Sequence, residues 1–480
     1  MNTFWSLPTA FEACIFVLCL VIARLGLRLP FRSAAVALLL LCPVPLAYLV
    51  AGSNSAIFVS DCVGVFCLLW LIRPHRGSPG LLSNKASRLP VILAALLLVV
   101  LPSVSSGLGA AVTGRGDWKL IAISLFRGCA YLGLFCGAIR FGARSGEINK
   151  LMALQCVAFA LICGCGILQA YSGLDLTLPS PTTAVLQGDL SGDTSAAGFM
   201  GLYRGAVGGW GAAMLGVIPL VLFRRRFGWA IAPACGLAVL AGIVLSGSRQ
   251  GLVVGLIALA LGTLVALASS RGMTLASRNT RIAIAAMALS VVLLFALTPN
   301  TFYDQWINSR FGSILEGTNV VDQVASRDDR MAYAIGRWMN NSAWVQVLGA
   351  GRGRLSDGIT TYQGEVGYVD SEAVWQLQEN GLLTIVTYAF FLFALARQLK
   401  VPKQASGDVR STIQAARIVL IGGVLLLYGH FFLLHVQYSQ APVAYWNWSV
   451  LGAAIGTVVR TKKASYISLK VSDTQVAIAA

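Results

Sequence analysis

Runs of about 17 to 24 consecutive apolar residues recur along almost the whole chain, and nothing else in the sequence constrains its fold as strongly. As helix, a run of that length crosses about 30 Å of hydrocarbon. Thirteen such runs are expected, near residues 9–27, 33–52, 55–72, 91–108, 118–139, 150–170, 205–223, 229–246, 251–270, 281–298, 378–396, 413–436 and 441–459. With 57% apolar residues, 11% charged residues and a mean hydropathy of +0.75, the composition is that of a chain living in a bilayer. The expected fold class is an all-α polytopic membrane protein.

A formal charge of +17 would suggest nucleic acid as the partner of a soluble protein. In a membrane protein, loop charge reports orientation instead. About two thirds of the 36 Lys and Arg fall in alternate loops and the C-terminal tail, at 24–32, 73–88, 140–150, 224–226, 271–281, 397–417 and 460–470. Those segments are expected on the inside, with the N-terminus outside and the C-terminus inside. The first apolar run has "ARLGLRLPFR" after it and no basic residue before it, so it is read as a retained anchor and not a cleaved leader. All eleven Cys lie in apolar runs, which leaves neither a disulfide framework nor a metal-type spacing.

The expected organisation is helices 1–10 over residues 1–298 with an outer loop at 171–204, a large outer loop domain with short helices at 299–377, helices 11–13 over 378–460, and an inner tail at 461–480. Basic residues expected outside are, Lys119 apart, all arginine. Arginine presents a planar fork of donors suited to anions. Salt bridges to the neighbouring acids would also account for them.

Within the large loop, "SRDDRMAYAIGRWMNNSAW" reads as an amphipathic helix, with Ser326 and Asp329 matching a capping box. At about 100° per residue, Arg327, Arg330 and Arg337 share one sector, while Met331, Ile335, Trp338 and Met339 form the adjoining apolar face expected to pack. Pairing of these arginines with Asp328 and Asp329 is the structural alternative. In "VLGAGRGRLSDG", glycines alternate with Arg352 and Arg354, and successive N–H groups there could cradle an anion or simply form a turn. "VDSEAVWQLQENGLLTIV" brings Asp370, Glu372 and Glu379 to the membrane surface, as candidate general bases or as acids favouring a helix N-terminus. His435 could supply an imidazole from the twelfth run. Arg127, inside the fifth, could act functionally or pair with Asp61.

Four pieces in order, "GLYRGAVGGWGAAMLGVIPL", "LSGSRQGLVVGLI", "RMAYAIGRWMNNSAWVQVLGAGRGRL" and "VDSEAVWQLQENGLL", together with a weaker "APVAYWNWSVLGAAIG", resemble the O-antigen ligase and Wzy polysaccharide polymerase superfamily. The resemblance covers residues from about 200 to 460. It implies an inverting, metal-independent, cofactor-free glycosyltransferase embedded in the bacterial inner membrane, with its active site at the periplasmic face. The donor would be an undecaprenyl-pyrophosphate-linked glycan, the acceptor a lipid-linked repeat unit, with room for a chain-length regulator as a protein partner. By resemblance Arg204 and Arg249 grip the pyrophosphate; Arg327, Arg330, Arg337, Arg352, Arg354 and His435 are the candidate substrate-binding residues, and from position alone Asp370 or Glu372 is the candidate to take the acceptor proton. Snorkelling of Arg249 at an interface is the structural alternative.

Ligases of the family commonly open the last motif with His-Asn, where this chain has Asp370 and Ser371. That departure favours a polymerase over a ligase. A flippase for lipid-linked oligosaccharide, using the same arginines without bond formation, is the alternative from another class. No nucleic-acid partner is expected.

Overall fold

The computed structural model describes residues 45–48, 56–58, 64–65, 90–114, 118–144, most of 152–167, 204–222, 228–245, 249–269, 332–351, 359–362, 365–368, 372–402, 406–429 and 447–462. Helices dominate these residues. In chain order the elements are β1 (Pro45–Tyr48), β2 (Ala56–Phe58), α1 (Pro90–Thr113), α2 (Trp118–Arg144), α3 (Arg204–Leu222), α4 (Gly228–Leu245), α5 (Arg249–Ser269), α6 (332–339), α7 (Ala343–Leu348), β3 (Ile359–Tyr362), β4 (Glu365–Tyr368), α8 (Glu372–Gln398), α9 (Gly407–Gly429) and α10 (447–462). The long helices coincide with expected apolar runs to within a few residues, except that α8 starts and α9 ends several residues early and α10 starts late. Two of the described helices, Pro90–Thr113 and the Gln376–Gln398 part of α8, are long and apolar enough to cross a membrane. The runs at 9–27 and 281–298 lie outside the described residues.

The all-α expectation holds for the bulk of the described residues, and two short hairpins accompany the helices. β1 pairs antiparallel with β2, inside the runs read as helices at 33–52 and 55–72. Pro43 and Pro45 cannot donate a helical hydrogen bond, and a proline is tolerated as the first residue of an edge strand. β3 and β4 pair antiparallel from Ile359↔Tyr368 to Tyr362↔Glu365, with only Gln-Gly between them in sequence. Their "ITTY" and "EVGY" are rich in β-branched and aromatic residues.

The core is a helical cluster centred on Trp448 of α10. Phe135 of α2 meets it edge-on at 5.3 Å and Phe391 of α8 stacks on it at 5.0 Å. Tyr131 lies parallel to the same indole at 6.1 Å, so three helices converge on one ring. Glycine sets the helix spacing. A β-carbon on Gly262 of α5 would collide with the Gly216 carbonyl of α3, and one on Gly216 would lie 3.1 Å from the Ala258 β-carbon. Small residues at such spots let helix backbones approach closely, as apolar helix pairs do when no water drives them together.

Two helices bury polar side chains while exposing apolar ones. In α1, Ser103, Ser105 and Ser106 are buried while Val104, Leu108 and Val112 are exposed. In α8, Gln376, Asn380, Thr384 and Thr387 are buried while Leu382, Val386, Phe390 and Phe393 are exposed. Both exposed sets recur every three or four residues, so each forms one apolar stripe along its helix.

Candidate functional site at the ends of two parallel helices

Arg204 is the first residue of α3 and Arg249 the first residue of α5. Short connections through α4 make α3 and α5 run parallel, and their contacts fix the register. Gly255 of α5 faces Ala212 of α3, at 3.5 Å from a built β-carbon to the Ala212 Cα, while Ala258 and Gly262 face Gly216. From these contacts to the helix starts is about 12 Å along α3 and about 9 Å along α5, at 1.5 Å per residue. The two arginines therefore open neighbouring helices at nearly one level and on one side of the bundle.

Electrostatics makes that pairing informative. The first turn of a helix carries unpaired N–H donors and the positive end of the dipole, which favours acids and disfavours cations there by about 0.3–1 kcal/mol each. Neither α3 nor α5 has an acid in its first turn, and each begins with arginine instead. Helix N-termini and arginine forks are the groups that proteins use to hold phosphate-type anions.

A second assembly joins α1, the α6–α7 corner and α8. The corner is tied by side chains. Trp338 Nε1 donates to the Gln346 carbonyl at 3.2 Å, Gln346 Nε2 to the Met339 and Asn341 carbonyls at 2.7 and 3.0 Å, and Asn341 Nδ2 to the Arg337 carbonyl at 2.8 Å. Buried Gln378 of α8 donates its side-chain N–H to the Ala334 carbonyl at 2.7 Å, anchoring α6.

After α7 the glycine-rich strand docks against a break in α8. Gly381 sits at φ 74°, ψ 179° inside that helix, and the break frees carbonyls normally used one turn later. Ala350 N–H donates to the Gln378 carbonyl at 2.8 Å and Gly351 N–H to the Glu379 carbonyl at 3.1 Å, while Gly349 N–H bonds Val345 at 2.8 Å. On the other side, Ser105 Oγ of α1 donates to the Leu348 carbonyl and Thr113 Oγ1 to the Ala350 carbonyl, both at 3.0 Å. The N–H groups of residues 349–351 are thus spent inside the fold, and the anion cradle expected of this part of the glycine run is corrected to a structural splice.

The α6 expectation also changes. Its buried face centres on Ala334 and half-buried Trp338, whereas Ile335 and Met339, expected to pack, are exposed. Arg337 is exposed as expected. Glu372 is the first residue of α8. Arg327, Arg330, Arg352, Arg354, Asp370 and His435, together with Met331 and Asp61, lie outside the described residues, and so do the side chains of Arg204, Arg249 and Glu372.

Sequence reading underrated the polar row on α8. Gln376, Asn380, Thr384 and Thr387 recur at helical spacing through an apolar run, and that periodicity marks them as one inward face. The Asn380 side-chain amide donates to Gln376 Oε1, Thr384 Oγ1 to the Asn380 carbonyl at 3.1 Å, and Thr387 Oγ1 to the Thr384 carbonyl at 2.7 Å. Glu379, 2% exposed, lies at the same junction. Among the described residues no His, Cys, Asp and Glu cluster has the makings of a metal site, and the cysteines at 129, 136, 156, 163 and 235 are free thiols.

Comparison with known proteins finds no matching family model, no matching curated protein and no matching solved structure.

Proposed function

We propose that this chain is a membrane-embedded polysaccharide polymerase of the Wzy type. In this reading it has about thirteen transmembrane helices, a periplasmic N-terminus, a cytoplasmic C-terminus and a periplasmic loop domain, and it lies in the bacterial inner membrane. It transfers a glycan from undecaprenyl pyrophosphate to a lipid-linked repeat unit, inverting the anomeric carbon without a metal. The observation that carries the reading is the matched start of α3 and α5, which brings Arg204 and Arg249 to one level at the ends of two helices whose own first turns hold no acid. The exposed apolar stripes of α1 and α8 support the membrane setting.

Chemically, the site acts on the leaving group. Charge grows on the pyrophosphate as the glycosidic bond breaks, and fixed donors at that spot lower the barrier more than they stabilise the bound substrate. The acceptor hydroxyl loses its proton to Asp370 or Glu372, both adjacent to the start of α8.

The test is purified protein in lipid with lipid-linked repeat units. Longer glycans and free undecaprenyl pyrophosphate are expected. Redistribution across the bilayer without bond formation would make the protein a flippase and end the proposal. Arg204→Lys and Arg249→Lys keep the charge but lose the fork, and each should slow polymerisation by about 10²-fold, the usual effect of losing one charge-stabilising donor. Unchanged polymer length in Asp370→Asn and Glu372→Gln would remove those two residues as bases.

A further inference from the structure

The α6–α7 corner leaves an apolar flank uncovered. Trp344 is 69% exposed and Met339 61%, with Ile335 and Val347 beside them. On α6, Arg337 points about 160° away from Met339 at about 100° per residue, so the helix has one apolar flank and one cationic flank. A flank of this kind on a water-exposed loop would be an aggregation liability.

Its position says what covers it. Ser105 of α1 holds the Leu348 carbonyl, and Ser105 lies eight residues before Thr113, about 12 Å below the end of that helix. Val347 and Gly349 press on Gly381, nine residues inside α8 and about 13 Å from its start. The end of α7 is therefore sunk well below the rims of both helices. Trp344 is four residues from Leu348, about 6 Å along α7 whichever way that helix tilts. At most its backbone rises to the level of Gly109, still beneath the end of α1 and at the depth of exposed Leu108 of α1 and Leu382 of α8.

We infer that the α6–α7 corner is a lipid-docking element: Trp344, Val347 and Met339 sit in the acyl and headgroup boundary of the adjacent leaflet, continuous with the apolar stripes of α1 and α8. Tryptophan concentrates at that boundary because its ring is apolar with one polar edge. The exposed Arg337 on the opposite flank suits the phosphate and water layer above. The corner is thus held from two sides, by hydrogen bonds to α1 and α8 and by the leaflet itself. This rests on the reading of α1 and α8 as membrane helices, without requiring any particular enzymatic activity.

The experiment places the photocrosslinker p-benzoylphenylalanine at position 344 and, separately, at position 393 of the full chain in phosphatidylethanolamine and phosphatidylglycerol vesicles. Phe393, 65% exposed on the α8 stripe, reports the membrane setting itself. Irradiation followed by mass spectrometry is expected to give lipid adducts at both positions. Adducts at 393 with none at 344 overturn the inference and leave the membrane reading standing. Adducts at neither position overturn both. A crosslink from 344 to a second copy of the chain, or to another segment of the same chain, also overturns it by naming a different cover.

Discussion

At φ 74° and ψ 179°, Gly381 occupies backbone space that any side chain bars, at a cost of about 1–3 kcal/mol for a residue forced there. A β-carbon would also collide with the Val347 carbonyl, so the strain comes with a clash. Gly381→Ala should lower thermal stability by at least that range and loosen the 349–351 strand, read as faster amide exchange at Ala350 and Gly351. Unchanged protection at both amides would show that the splice does not depend on this residue. Sequence alone offered an Asn-Gly pair within a helical run. It gave no sign that the glycine splits the helix, because the constraint comes from a segment more than 30 residues earlier.

Between elements, the α3–α5 contact decides whether two arginines share one level. The Gly262 β-carbon position is filled by the Gly216 carbonyl, so Gly262→Val must separate the helices or shift their register. Overpacking of this kind typically costs about 1–3 kcal/mol. The variant should unfold at lower temperature and lose the proposed polymerising activity, whereas Gly236→Val, with open space around its β-carbon, should do neither. Equal effects of the two would mean that helix register is irrelevant to the site. Long helices were legible from apolar run length, because an uninterrupted run of that length fits a helix and exceeds the usual length of a strand. The β1–β2 hairpin was not, since a run of Leu, Val and Ala reads alike as strand or helix until Pro43 and Pro45 are weighed. Nor was the packing face of α6. Apolar identity marks the side that avoids water, and beside a membrane that side can face lipid instead of protein.

For the molecule as a whole, the contacts fix two relations of helix direction. α1 and α8 meet at the end of one and the start of the other, as antiparallel neighbours, while α3 and α5 run parallel with one helix between them. The alternating topology proposed above goes further than these two relations. Fusions test it: alkaline phosphatase joined after residue 300 should be active, and a fluorescent protein joined at residue 470 should glow. The reverse pattern at either junction would invert the topology and place the Arg204 and Arg249 end on the wrong side of the membrane. The splice between the glycine strand and α8 carries a consequence for biosynthesis. Its donors, at residues 350 and 351, leave the ribosome before the carbonyls at 378 and 379 that will accept them. The α6–α7 corner therefore waits, half-anchored to α1, until the next helix is translated. A chain arrested in that interval would present its corner to proteases and chaperones, whereas one released a few dozen codons later would close it.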